Sequence, residues 1–154
     1  MKIHFAEGLQ ELIAETLFVW RGKKPWTPGY HTYRNRKIIE YIERGDFSAS
    51  SLQRGYGHRL DERIIEYPWL FSRLPQGRGT LLDAGSALNF DFLLDRESLQ
   101  EKDIFISTLA PEDRSYPARN ISYVYEDLRS SCFKDEYFDF IVSISTVEHI
   151  GLEN

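Results

Sequence analysis

Hydrophobic positions along the chain change their rhythm near residue 79. Before it they recur every three or four residues, the repeat of one helix face; after it they come in short continuous runs. Leu9, Leu12, Ile13, Thr16, Leu17 and Trp20 form the first such row, with Glu7, Glu11 and Glu15 opposite, which predicts an amphipathic helix over 7–20. "RGKKPWTPG" ends it, because Gly22, Pro25, Pro28 and Gly29 favour a loop. A second helix is predicted from Tyr33 to Arg44, with Ile38, Ile39, Tyr41 and Ile42 as its apolar side and Gly45 as its stop. "DERIIEYPWLFSRL" predicts a third, capped by Asp61 and burying Ile64, Ile65, Leu70, Phe71 and Leu74. Pro68 should kink or split it, since proline lacks the helical donor and crowds the preceding turn.

Four apolar runs follow: "TLLDAG", "DIFIST", "ISYVYEDL" and "FDFIVSIST". "NFDFLLDRESLQ", between the first two, suits a short helix, and the polar "LAPEDRSYPARN" separates the second from the third. Apolar, β-branched strands interleaved with crossovers predict an α/β fold whose parallel sheet is buried on both faces. The 154 residues, 42% hydrophobic, suffice for one core, so the expected organisation is a helical extension at 1–78 joined to a sheet domain at 79–154.

Charge sharpens the division. Residues 1–78 carry 13 Lys and Arg against 9 Asp and Glu, and residues 79–154 carry 6 against 15. A basic front suits an anionic substrate and an acidic back a cationic cofactor, although differently solvated faces produce the same asymmetry. "RGKKPW" and "YRNRK" mix basic and aromatic residues as phosphate-binding surfaces do, or as a solvated face does; with a net charge of −5 a nucleic-acid partner is not expected. The single Cys132 rules out an internal disulfide and a cysteine-based zinc site, and His4, His31 and His58 lack the carboxylate spacing of a metal site. Glutamates interrupt the apolar pattern at the N-terminus, no signal peptide is read there, and no run approaches the roughly 20 apolar residues of a membrane span. The cytoplasm is the expected compartment.

The turn after the first predicted strand is where a doubly wound sheet would hold a ligand. It reads Asp83-Ala84-Gly85-Ser86-Ala87-Leu88-Asn89 and does not match the G-x-G-x-x-G of nicotinamide-binding turns. It resembles the first motif of the class I S-adenosylmethionine-dependent methyltransferases, D-x-G-x-G-x-G. "EDLRSSCFKDEYFDFIVSISTVEHIG", residues 126–151, resembles the same family's run from its third strand to the end of its fourth, and "RGYGHRLDERIIEYPWLFSRL" is similar to a segment upstream of the first motif in some bacterial members. The resemblance implies a Rossmann-like methyltransferase fold with S-adenosylmethionine as cofactor. Family members have seven strands in the order 3-2-1-4-5-7-6, and this chain reaches Asn154 directly after its fourth, so the expected sheet is incomplete, in the order 3-2-1-4.

Carried over residue by residue, the resemblance puts Asp83, Ala84, Gly85, Ser86 and Asn89 in the cofactor turn. Asp83 would face the methionine end, and it equally suits a cap on the turn; Asn89 would replace a glycine because asparagine tolerates the left-handed backbone. Asp127 would accept from the adenine amino group beside Leu128, or is a plain surface carboxylate. Where the family carries a ribose-binding acid after its second strand, this chain has Ser107 and Thr108, which supply one hydrogen bond and no charge-assisted pair. His149, next to Glu148, is the candidate base, or starts a helix. The acceptor would be a small molecule or a glycan, the Gly55–Arg59 segment a lid hinge or a connector, and "FDFIVSIST" an exposed edge through which the chain dimerises, recruits a second polypeptide or aggregates. The alternative is a methyltransferase-like protein without catalysis that serves as a binding or oligomerisation module.

Overall fold

The computed structural model describes residues 2–116 and 118–152, with side chains from residue 8 onward. The expectations for His4 and Glu7 fall outside the described side chains. The chain divides into two compact units, Met1–Leu74 and Pro75–Asn154.

The first unit is built from helices α1 (Lys2–Trp20), α2 (Tyr30–Glu43) and α3 (Arg63–Phe71). α2 begins a turn earlier than its pattern suggests, directly after Gly29 in the left-handed conformation (φ 89°). A side chain at Gly29 would collide with the Ala14 backbone, so this glycine sets how closely α2 approaches α1. That contact corrects the reading of α1. Its inward side is Phe18, fully buried against Tyr30 and Tyr33 at ring separations of 5.9 and 5.5 Å, with Glu15 pairing to Arg36. The row Leu9, Leu12, Ile13, Leu17 and Trp20 lies on the opposite side and is exposed within the unit.

α3 is also corrected in two respects. Asp61 does not cap it; its carboxylate pairs with Arg34 at 2.5 Å, both groups largely buried, while its N–H donates to the Tyr30 hydroxyl. Pro68 neither splits nor ends the helix. Proline cannot donate to the Ile64 carbonyl four residues back, and the Tyr56 hydroxyl donates to that carbonyl instead, at 2.7 Å. Tyr67 and Pro68 join Ile64 and Phe71 in the core, and Ile65 is exposed. The Gly55–Arg59 segment is held within this unit: the Tyr56 ring packs tilted against Tyr41 at 4.1 Å and the Arg59 guanidinium donates to the Gly22 carbonyl.

The second unit is an α/β layer with a four-stranded, all-parallel sheet in the order β3-β2-β1-β4. The strands are β1 (Gly79–Ala84), β2 (Lys102–Thr108), β3 (Ile121–Tyr125) and β4 (Phe140–Val142). Between β1 and β2 the single expected helix is two short ones, α4 (Asp91–Leu94) and α5 (Glu97–Gln100), which bury Leu93, Leu94 and Leu99. β1 is central, pairing Leu82 with Phe105 of β2 on one side and with Ile141 of β4 on the other. Its apolar run is continuous because both faces are covered. Phe105 packs edge-on against Phe133, Tyr137 and Phe138 at 5.4–5.6 Å. β4 is much shorter than the run "FDFIVSIST", and Ile141 on this edge strand is 67% exposed. The ammonium of Lys102, buried at the start of β2, donates to the carbonyls of Pro75 and Gly77 and fixes the segment entering β1.

Candidate functional site

The carboxyl ends of the four strands open into one cleft of about 500 Å³. Gly85 enters it from the end of β1, Ser107 and Thr108 from β2, Glu126, Asp127, Leu128 and Arg129 from the turn after β3, and Thr146 and His149 from the segment after β4. Thus Gly85, Thr108, Asp127, Leu128 and His149, singled out separately in the sequence, meet in one place. Asp83, Ala84, Ser86 and Asn89 do not line it.

Those four build the turn from behind. Asp83 is completely buried, and its two carboxylate oxygens accept the N–H groups of Ala87 at 3.0 Å and Leu88 at 2.8 Å. Burial pushes this carboxyl up to about 7 against the lowering pull of the two N–H groups. The loop reverses at Gly85 (φ 108°) and Ser86 (φ 62°). Asn89 is not in the left-handed conformation, so the expected backbone reason for asparagine is incorrect. Its side chain explains it instead. The amide donates to Glu112 at 2.9 Å and to the Arg114 carbonyl, and its oxygen accepts from the Tyr123 hydroxyl at 3.0 Å, tying the β1 turn to the segment before β3 and to β3 itself. Gly85 has a steric reason as well: a side chain there would run into Thr146. The β1 turn and the segment after β4 therefore touch across the cleft floor.

Two carboxylates line the opposite wall. Glu126 is raised by partial burial but held below the usual range overall by the Cys132 N–H at 2.7 Å and the hydroxyls of Ser107 and Ser131. Asp127 is held low by the Arg129 guanidinium, which it accepts at 2.6 Å, and by the Arg129 N–H, whose acceptance caps the short turn Leu128–Ser130. Both are ionised at neutral pH. Sequence reasoning passed over Glu126 as the neighbour of Asp127; only the parallel register, which sets the end of β3 beside Ser107 of β2, shows that its carboxylate reaches the cleft. Thr146 was missed because only the turn after β4, where Ser145 takes a positive φ, brings it against Gly85.

His149 sits in the single turn Val147–His149, its N–H donating to the Thr146 carbonyl, with its side chain exposed at the cleft rim. It thus occupies a turn as well as lining the cleft. Among the described residues no group of three or more His, Cys, Asp or Glu side chains is placed to hold a metal ion, and no helix is long and apolar enough to cross a membrane.

A parallel sheet in the order 3-2-1-4, with its cleft at the carboxyl ends and helices preceding it in the chain, defines a Rossmann-like α/β protein. Comparisons of the chain with protein-family models, with curated proteins and with solved structures found no match.

Proposed function

We propose that the second unit binds S-adenosylmethionine in this cleft and serves a methyltransferase acting on a small-molecule or glycan acceptor. The observation that carries the reading is the convergence of Gly85, Thr108, Asp127 and Leu128 on one cavity at the strand ends. Its chemistry suits the ligand. About 500 Å³ lies within the roughly 300–1,000 Å³ typical of small-molecule sites, and the ionised Glu126, whose partners are all neutral, favours a ligand carrying positive charge, while Asp127 is already paired with Arg129. Gly85 leaves the backbone bare where the ligand approaches, Asp127 and Leu128 flank the adenine position, and Thr108 offers a hydroxyl toward the ribose. The bound cofactor supplies an activated methyl group; this chain would contribute orientation, and His149 at the rim would take the acceptor's proton.

Calorimetry of the full chain with S-adenosylmethionine and S-adenosylhomocysteine tests the reading. One ligand per chain is expected, with affinity reduced about tenfold or more in Asp127→Ala and in Gly85→Val. Absence of binding heat at millimolar ligand would sink it. The alternative, a binding module without catalysis, is favoured by one feature: among the described residues no carboxylate accepts from the His149 ring to orient it as a base. Binding without transfer to any acceptor tested would select that alternative.

A further inference from the structure

We infer that the first unit holds a binding site for a phosphate group, independent of the proposed cofactor cleft. A cavity of about 160 Å³ lies between α2, the loop after α1 and the segment 53–60. Lys23 comes from "RGKKPW", Lys37 from "YRNRK", and Arg54 and His58 from the segment around "GYGHR". The two basic and aromatic stretches, six residues apart in sequence, thus share one cavity, and among the described residues no carboxylate lines it. Neither Lys23 nor Arg54 has a carboxylate at ion-pair distance among the described residues. Lys23 rests its ammonium 4.8 Å over the Tyr33 ring. Glu40, which pairs with Lys37 at 2.6 Å, is shared with Arg44, so two cations divide one carboxylate.

Tyr41 supplies the second, independent observation. It lines the cavity, is 1% exposed, and its buried hydroxyl has no hydrogen-bond partner. Its ring is fixed by Tyr56 at 4.1 Å and by the Arg44 guanidinium stacked over it at 4.3 Å. A buried hydroxyl without a partner is an exception in folded proteins, and Tyr41 lines the same cavity as Lys23 and Arg54. An anion with several acceptor oxygens would satisfy both: guanidinium and ammonium groups provide charge-assisted bonds, and the hydroxyl a neutral one. The volume is well below the roughly 300 Å³ at which small-molecule pockets begin, and it accommodates one phosphate group.

The test is calorimetry of the full chain with inorganic phosphate and with methyl phosphate, at ionic strength matched by chloride. A dissociation constant of about 1 mM or below is expected, weakened about tenfold or more in Lys23→Gln/Arg54→Gln and about fivefold in Tyr41→Phe. Circular dichroism establishes that each variant is folded, and the exposed Arg54→Gln variant alone provides a second reading with little risk to the core. Tighter binding of methyl phosphate assigns the site to a phosphomonoester, tighter inorganic phosphate to the free ion, and either supports the inference. No heat beyond the chloride control, unchanged affinity in the double variant, or sulfate bound as tightly as phosphate would overturn it. Since S-adenosylmethionine carries no phosphate, failure here and failure of the cofactor reading are separate results.

Discussion

A carboxylate that is wholly buried and answered only by two backbone N–H groups has consequences for stability. Asp83 has an ordinary value of 3.8 and is pushed by burial up to about 7 in the fold. Between those values the unfolded chain has lost a proton that the folded chain still holds, so stability falls as pH rises through the window and is level on either side. Glu126, Asp127 and Asp139 are lowered and act with the opposite sign, but only below their ordinary values of 4.5, 3.8 and 3.8. The second unit should therefore lose on the order of 2 kcal/mol between pH 5 and pH 7. Asp83→Asn, which cannot ionise and keeps one acceptor for the turn, should flatten that slope. Urea unfolding followed by far-ultraviolet circular dichroism at pH 5, 6 and 7 measures it, and equal slopes in the two proteins would count against the assignment. The sequence offered two roles for Asp83, and the cap is the contact that the geometry provides. For Asn89 the letters mislead: asparagine in a glycine-like position suggests backbone freedom, whereas its partners Glu112, Arg114 and Tyr123 lie 23 to 34 residues away in sequence.

At the level of elements, α3 shows how a local defect is repaired from outside. Pro68 leaves the Ile64 carbonyl without its helical donor, and the Tyr56 hydroxyl fills the gap. Tyr56→Phe should cost about 1–3 kcal/mol, the penalty of an orphaned acceptor, while leaving the ring packing in place. In a Pro68→Ala background, which restores a helical N–H, the same change should cost much less. Urea denaturation of the four proteins of this cycle gives the coupling directly, and additive costs would show that the hydroxyl does not answer the proline. Periodicity revealed that α1, α2 and α3 exist and that β1 and β2 are buried strands, because those properties are local. It could not reveal which side of α1 packs inward. Gly29 decides that by admitting the Ala14 side of the helix, so the longer apolar row of Leu9, Leu12, Ile13, Leu17 and Trp20 is left exposed within its unit. β4 is shorter than its run for a related reason: it pairs with β1 over three residues only, after which Ser145 takes a positive φ and the chain turns to bring Thr146 against Gly85.

For the molecule as a whole, composition supplies a means of reading the two units separately. All three tryptophans, Trp20, Trp26 and Trp69, belong to the first unit, so intrinsic tryptophan emission follows that unit, while the backbone signal follows both. Each unit has its own buried set: Phe18, Tyr30, Tyr33, Ile38 and Tyr41 in one, and Leu81, Leu88, Leu93, Leu99 and Ile106 in the other. Separate cores predict separate transitions. Asp83→Asn should change the pH dependence of the backbone transition and leave the tryptophan midpoint where it was. A ligand of the strand-end cleft at about a hundred times its dissociation constant should add about 2.7 kcal/mol to the second unit, again without moving the tryptophan signal. Phosphate should do the reverse, raising the tryptophan midpoint, and Tyr41→Phe should reduce that rise. If the two signals instead coincide in every sample, the expectation of separate transitions fails.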